Sequence, residues 1–146
     1  MRAGGCQCGA VRYILSCGLP AAYACHCGEC KKQSASAFSM SVVVEFDLLA
    51  VTGEFTCFEA TAYSGANKRC YFCPRCGTRL WHRSGARPEL VTLKVGTLDD
   101  SAGIAPQGHL WVSKLQAGII LDPAVPAFDT QPDDVQVWRE SLANPA

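Results

Sequence analysis

The chain has 146 residues, and its thirteen Lys and Arg residues balance its thirteen Asp and Glu residues, so the formal net charge is zero. This length is typical of one domain with a sizeable core. A neutral chain without a basic cluster argues against nucleic-acid binding, which depends on phosphate neutralisation. No run approaches the roughly 20 apolar residues of a membrane helix, and the first residues lack the apolar segment of a secretory signal. We therefore expect a cytoplasmic protein that binds neither nucleic acid nor membrane.

Short segments rich in β-branched and aromatic residues recur along the chain, separated by thirteen glycines and eight prolines. This pattern is typical of strands divided by turns. The candidate strands are residues 11–15, 21–25, 38–46, 55–63, 68–73, 78–82, 90–95 and 109–112. Many short strands at this spacing predict a mainly β fold, either a sandwich or a barrel-like sheet.

Two segments have weak helical character. Residues 46–50 fit a single turn between strands. Residues 133–143 place Val135, Trp138 and Leu142 at helical spacing, with Asp133 positioned to cap the first turn. The sequence therefore predicts one domain over residues 4–130 and a C-terminal tail over residues 131–146 that can form a short helix.

Seven of the ten cysteines fall into three clusters, namely Cys6 and Cys8, then Cys25, Cys27 and Cys30, then Cys73 and Cys76. Such short spacings present several sulfur atoms to one point, which favours metal binding over disulfides in a reducing compartment. Four cysteines complete a closed structural zinc site, whereas three leave the open position of a catalytic zinc. The count of seven therefore predicts one site of each kind.

Spacing alone leaves open which clusters share a metal. Cys27 and Cys30 can share a metal with Cys6 and Cys8 as well as Cys73 and Cys76 can. The alternative to metal binding is a set of buried free thiols. The clusters are therefore established as candidate ligands, but their pairing is not.

The residues around the clusters have simpler interpretations. His26 is an alternative ligand, but an extended Cys-x-Cys segment points it away from its neighbours. We expect it to pack or to form a hydrogen bond behind the ligands. Cys57 lies in an apolar segment and is expected to be a small core residue, and Cys17 and Cys70 can be the same.

Three ordered motifs carry a resemblance to a known family. They are residues 5–13 (GCQCGAVRY), residues 25–32 (CHCGECKK) leading into 36–38 (SAF), and residues 72–78 (FCPRCGT). Residues 96–100 (GTLDD) and His109 also fit. Over roughly residues 4–128, the chain resembles the glutathione-dependent formaldehyde-activating enzyme (GFA) family, which includes centromere protein V.

The resemblance implies a β-tent (Mss4-like) fold with a structural zinc clamp. It implies two zinc ions per chain, a structural one held by Cys6, Cys8, Cys73 and Cys76, and a catalytic one held by Cys25, Cys27 and Cys30. The implied activity is that of a carbon–sulfur lyase acting on the adduct of a small-molecule thiol, such as glutathione, with formaldehyde or another small aldehyde. Competing hypotheses are a non-catalytic zinc-binding module and a thiol or redox sensor.

The chain departs from the family pattern at two places beside the second cluster. Ala35 stands where the family usually has glycine, and Gln116 and Ala117 follow a Ser-Lys-Leu segment that is commonly followed by tryptophan. The first departure bears on a backbone conformation that favours glycine. Both bear on the substrate rather than on the metals.

Several polar and aromatic residues have both a functional and a structural interpretation. Lys31, Lys32 and Arg12 can attract an anionic thiol or can be solvated surface charges. Phe38, Trp81 and Trp111 can line a pocket or fill the core. His82 and His109 are expected to be structural, and His109 is the better functional candidate because of the resemblance.

Overall fold

A computed structural model describes residues 1–62 and 65–143. Ten strands and two α-helices are present in this part of the chain. The strands are β1 (Arg2–Gly5), β2 (Arg12–Leu15), β3 (Tyr23–Cys25), β4 (Ser39–Glu45), β5 (Leu49–Thr52), β6 (Thr56–Thr61), β7 (Asn67–Phe72), β8 (Arg79–Ser84), β9 (Arg87–Lys94) and β10 (His109–Leu110). The mainly β prediction is confirmed, and each of the eight candidate segments overlaps a strand. Tyr63, the last residue of one candidate, lies outside the described residues.

The chain divides into two compact units, one formed by Met1–Leu19 with Val43–Gly103 and the other by Pro20–Val42 with Ile104–Ala146. Neither described helix is long and apolar enough to span a lipid bilayer. The predicted boundary between a domain at 4–130 and a tail at 131–146 stays a prediction.

The first unit contains two antiparallel arrangements. One is a three-stranded sheet in the order β1-β2-β5, and the other is a meander in the order β9-β8-β7-β6. Successive side chains of a strand point to opposite faces of its sheet. In β2, Tyr13 and Leu15 are buried on one face, while Arg12 and Ile14 are exposed on the other. In the meander, Trp81 is 1% exposed and lies opposite Tyr71 on β7.

The outermost strand of the meander corrects one prediction. Cys57, expected in the core, is exposed on β6. Within the described residues β6 pairs only with β7, and nearly every position along it is exposed, so alternation there does not divide a core face from a solvent face. Cys70 on β7, which lies opposite Phe58, is 1% exposed and is a core residue as expected, while Cys17 is half-buried.

In the second unit, β3 lies between two partners. It is antiparallel to β4, with Ala24 opposite Met40, and parallel to β10, with Ala24 opposite His109. The helix α1 (Gly28–Ser34) follows β3 after two residues and ends at Ala35, which adopts a left-handed conformation with φ of 48°. The sequence had not predicted α1, and this helix buries none of its residues.

The second helix, α2 (Val135–Ala143), confirms the predicted C-terminal helix but not its cap. The capping carboxylate is that of Asp134, which accepts hydrogen bonds from the backbone N–H groups of Gln136 and Val137 at 3.0 Å each. The prediction of Asp133 was therefore wrong by one residue. A further predicted turn is present as a 3₁₀ turn at Phe46–Leu48, and β5 begins directly after it.

Candidate metal centres

Four cysteines from two turns of the first unit come together. The Sγ atoms of Cys6, Cys8, Cys73 and Cys76 all lie within 4.8 Å of one another. The Sγ atoms of Cys6 and Cys8 are 3.5 Å apart, and those of Cys8 and Cys73 are 3.8 Å apart. Tetrahedral zinc with Zn–S bonds of about 2.3 Å requires sulfur separations of about 3.8 Å. The distances therefore fit a closed four-sulfur metal site.

The two turns that carry these cysteines have the same construction. In each, a backbone hydrogen bond closes the turn over the first cysteine, from Cys6 N to Val11 O and from Cys73 N to Thr78 O. A glycine with positive φ follows the second cysteine, Gly9 at 77° and Gly77 at 73°. Such a conformation strains residues that have a Cβ atom. The local backbone thus aims two sulfur atoms from each turn at a common point.

The protonation of this cluster is consistent with a cation-binding site. Hydrogen bonds with the Thr78 side chain and backbone lower the pKa of Cys76 to about 5. Although a backbone hydrogen bond involving Ala10 lowers the pKa of Cys8, contact with the Cys6 sulfur contributes to raising it to about 11. Sulfur atoms this close repel one another as thiolates, and a bound cation removes that repulsion.

The second unit holds a cluster of three sulfur atoms. Cys25 ends β3, Cys27 caps the N-terminus of α1, and Cys30 lies in its first turn. Their Sγ atoms lie within 4.8 Å of one another, and in the described part of the chain no fourth Cys, His, Asp or Glu ligand atom joins them. The arrangement fits a metal with three protein ligands and an open position.

The backbone and the neighbouring thiols stabilise one negative charge in this cluster. The Cys30 N–H donates to Cys27 Sγ at 3.4 Å. Hydrogen bonds from the Cys25 and Cys30 side chains hold the pKa of Cys27 well below its ordinary value, while the same contacts raise the pKa of Cys25. The three sulfur atoms therefore share one negative charge readily, and their full ionisation needs a cation beside them.

His26 lies behind the cluster rather than in it. Its ring is fully buried, and its Nε2 atom is 3.1 Å from Nδ1 of His109, which is 6% exposed. The ring also packs on Phe38 with a centroid distance of 5.3 Å. Burial lowers the pKa of both histidines, so the pair is neutral. The expectation that His26 packs and forms a hydrogen bond is confirmed, and its partner is His109.

The positively charged candidates separate into different environments. Lys31 donates from Nζ to the Lys114 carbonyl at 2.9 Å, whereas Lys32 is exposed. Arg12, in the first unit, forms an ion pair with Asp99 that includes a 2.9 Å hydrogen bond from Nη1 to Oδ1. The pairing of Arg12 with Asp99 makes it a structural residue of the first unit.

The remaining sequence candidates are mostly structural. Trp81 fills the core, and His82 contacts the Arg79 guanidinium through Nδ1 at 3.2 Å. Trp111 is half-buried directly after β10 and has a φ of 61°, an unusual value for a bulky residue. A groove of about 540 Å³ beside β1 and Cys17 is lined by none of the clustered cysteines.

Two residues that contact each other at β3, the strand that ends at Cys25, were not singled out from the sequence. Tyr23 lies two residues before Cys25 on β3, and alternation along a strand could have placed both on one face. Arg139 of α2 donates to the Tyr23 hydroxyl at 2.8 Å. Because this contact joins residues 116 positions apart, no local pattern indicates it.

Comparison with known proteins gives one family and one fold. A family model described as "GFA: Glutathione-dependent formaldehyde-activating enzyme" matches residues 1–114. Among solved structures, a protein from Rhodobacter sphaeroides, a target of Northeast Structural Genomics, is similar with a TM-score of 0.53 at 24% sequence identity. The similarity covers 71% of this chain and 91% of that chain and concerns the fold alone. No curated protein matches the chain.

Proposed function

Because the chain belongs to the glutathione-dependent formaldehyde-activating enzyme family, we propose that it is a zinc-dependent enzyme of the carbon–sulfur lyase type. Its substrate would be the adduct of a small thiol, such as glutathione, with formaldehyde or another small aldehyde. The observation that carries this proposal is the cluster of Cys25, Cys27 and Cys30, where three sulfur atoms converge without a fourth ligand among the described residues.

The donor atoms support zinc as the metal at both sites. Thiolate sulfur is a ligand preferred by zinc, whereas calcium and magnesium require oxygen. The set of Cys6, Cys8, Cys73 and Cys76 would hold a structural zinc, and the three-sulfur cluster would hold a catalytic one. We therefore propose two zinc ions per chain with different roles.

The proposed reaction forms or breaks one carbon–sulfur bond. In the forming direction, the thiol gives up its S–H proton, its sulfur attacks the aldehyde carbon, the carbonyl electron pair moves to oxygen, and that oxygen takes up a proton. A zinc ion with an open position favours the thiolate form of a bound thiol or polarises the aldehyde oxygen. The role of Cys25, Cys27 and Cys30 is to fix the metal and to leave that position accessible.

A thiol or redox sensor is the second candidate. It is favoured by the proximity of Cys25, Cys27 and Cys30, whose sulfur atoms lie close enough to approach one another when no metal separates them. A sensor would cycle between a metal-bound and an oxidised form without accelerating any thiol–aldehyde reaction. Catalytic turnover of a thiol and an aldehyde is therefore expected of the enzyme and not of the sensor.

The test combines metal content with turnover. Purified wild type should contain two zinc ions per chain and should accelerate exchange between glutathione, formaldehyde and their adduct above the uncatalysed rate, as measured by NMR. Cys30→Ala should retain one zinc and lose the acceleration. Cys57→Ala is the matched control, because Cys57 is exposed and belongs to neither cluster. A two-zinc wild type that accelerates no thiol–aldehyde pair would exclude the enzyme and favour the sensor.

A further inference from the structure

Arg139 is held against the strand that leads to the three-sulfur cluster. It projects from α2, and its Nη2 atom donates to the Tyr23 hydroxyl at 2.8 Å. Its Cζ atom lies 4.8 Å from the centroid of the Tyr23 ring. The guanidinium is therefore fixed by two contacts with a single side chain, and its position depends on β3.

Tyr23 connects this guanidinium to the cysteines through the face of β3. Tyr23 is 4% exposed and precedes Cys25 by two residues on β3, so the two side chains emerge from the same face. The side chain that holds the Arg139 guanidinium is therefore the neighbour of Cys25 on that face.

Among the described residues, no ion pair neutralises the charge of Arg139. Its Nε atom is buried and has no hydrogen-bond partner in the described part of the chain. An unpaired cationic donor in a buried position is costly to maintain. A compensating negative charge is expected nearby, and the candidate source is the three-sulfur cluster, which begins at Cys25 on the same face of β3 as Tyr23.

We propose that Arg139 is a positioning residue that stabilises binding of a substrate thiolate at the Cys25, Cys27 and Cys30 site. Three thiolates and one divalent metal carry one net negative charge, and a thiolate in the open position raises it to two. A fixed positive charge behind Tyr23 offsets that increase. Arg139 lies beyond residues 1–114, which the family model matches, so this device belongs to the C-terminal segment of this chain.

The inference rests on the proposed metal site and predicts a specific loss. Arg139→Gln should weaken binding of a thiol about tenfold, the order expected when one charge that acts on a partly buried site is removed. Metal content should not change, because three thiolates bind the metal with or without Arg139. Arg139→Lys should restore most of the affinity by restoring the charge.

The experiment titrates cobalt(II)-loaded protein with 2-mercaptoethanol, an uncharged thiol, and separately with 3-mercaptopropionate, and it follows the sulfur-to-cobalt absorption. The matched control is Glu140→Gln, which changes the charge of an exposed neighbour that is hydrogen-bonded to Gln136. Metal per chain and thermal unfolding are measured for every variant. A tenfold loss in Arg139→Gln, its recovery in Arg139→Lys and no effect of Glu140→Gln would support the proposal.

Three outcomes would overturn it and are distinguishable. Equal thiol affinity in wild type and Arg139→Gln would refute the role of Arg139 and leave the proposed function intact. A loss confined to 3-mercaptopropionate, which carries a carboxylate, would make Arg139 a direct contact of the substrate instead. A wild type that binds metal at the three-sulfur cluster but takes up neither thiol would refute both this inference and the proposed function.

Discussion

At the scale of single residues, Ala35 stands where the family usually has glycine, but its backbone has the conformation that favours glycine. Ala35 ends α1 with φ of 48° and ψ of 41°, the left-handed conformation that favours glycine. Its N–H donates to the Lys32 carbonyl, and the Ser36 N–H donates to the Lys31 carbonyl. The helix terminus therefore keeps a glycine-type geometry while holding a residue with a Cβ atom.

This strain predicts that Ala35→Gly stabilises the protein. The left-handed conformation costs an alanine about 1–2 kcal/mol, and glycine avoids this cost. The greater conformational freedom of glycine in the unfolded chain offsets about 0.4–1 kcal/mol of that gain. The free energy of unfolding should therefore rise by about 0.5–1 kcal/mol, measured by urea denaturation. Ala37→Gly is the control, because Ala37 lacks a positive φ and should be destabilised. A loss of stability in Ala35→Gly would contradict this account.

The cysteines show which site features local sequence can predict. Spacings of two and three residues predicted that the cysteines of each sequence group lie close together, because sulfur atoms on one turn are near one another whatever the tertiary structure is. The count of seven predicted one site of four and one of three, but the assignment of the pairs required the family resemblance, since Cys8 and Cys73 are 65 residues apart. The burial of Cys57 was mispredicted because it depends on what covers β6, and the composition of β6 does not reveal that.

At the scale of elements, the missed segments lack the periodicity on which sequence prediction depends. α1 has no buried residue, so no apolar face repeats along it, and its first residue is Gly28. β1 contains two glycines in four residues, and β5 begins where a helical turn was expected. Their structure comes from partners distant in sequence, as when Tyr13 of β2 pairs with Gly4 on one side and Val51 on the other.

The docking of α2 depends on a close approach at Gly108. Trp138 packs against Tyr23 and Phe128 with ring centroids 5.9 and 5.4 Å away. A Cβ atom at Gly108 would lie 2.2 Å from Trp138 Cζ2. Gly108 also accepts a hydrogen bond from Ala24 N, so its backbone is held and Trp138 must give way instead. This contact joins the helix to the segment that carries His109.

Gly108→Ala should therefore displace α2 and lower the free energy of unfolding by about 1–3 kcal/mol, the usual cost of overpacking. The same change in a Trp138→Ala background should cost less than about 0.5 kcal/mol, because the clash has been removed. Chemical denaturation of the four proteins in this cycle measures the coupling. Additive effects would show that Trp138 does not pack on Gly108 in solution.

At the scale of the whole molecule, the two compact units each contain one cysteine cluster, and the clusters constrain the chain differently. The four-sulfur cluster joins turns at residues 6–8 and 73–76, so it closes a long loop of the chain. The three-sulfur cluster lies within six consecutive residues of the second unit. Closing a long loop removes more freedom from the unfolded chain than closing a short one. The first cluster should therefore contribute more to folding.

Substitution of one cysteine in each cluster tests this difference. Cys73→Ala removes a buried ligand of the long-range cluster and should lower the free energy of unfolding by about 3 kcal/mol or more, because a closed zinc site stabilises the fold directly. Cys27→Ala should lose one zinc per chain and leave most of the stability, since the short segment retains β3 and its backbone pairing with β4 and β10. Zinc content and urea denaturation at a fixed zinc concentration measure both effects. Similar losses of stability in the two variants would mean that the three-sulfur cluster is also a folding element, and the assignment of an open, catalytic role to it would lose its structural basis.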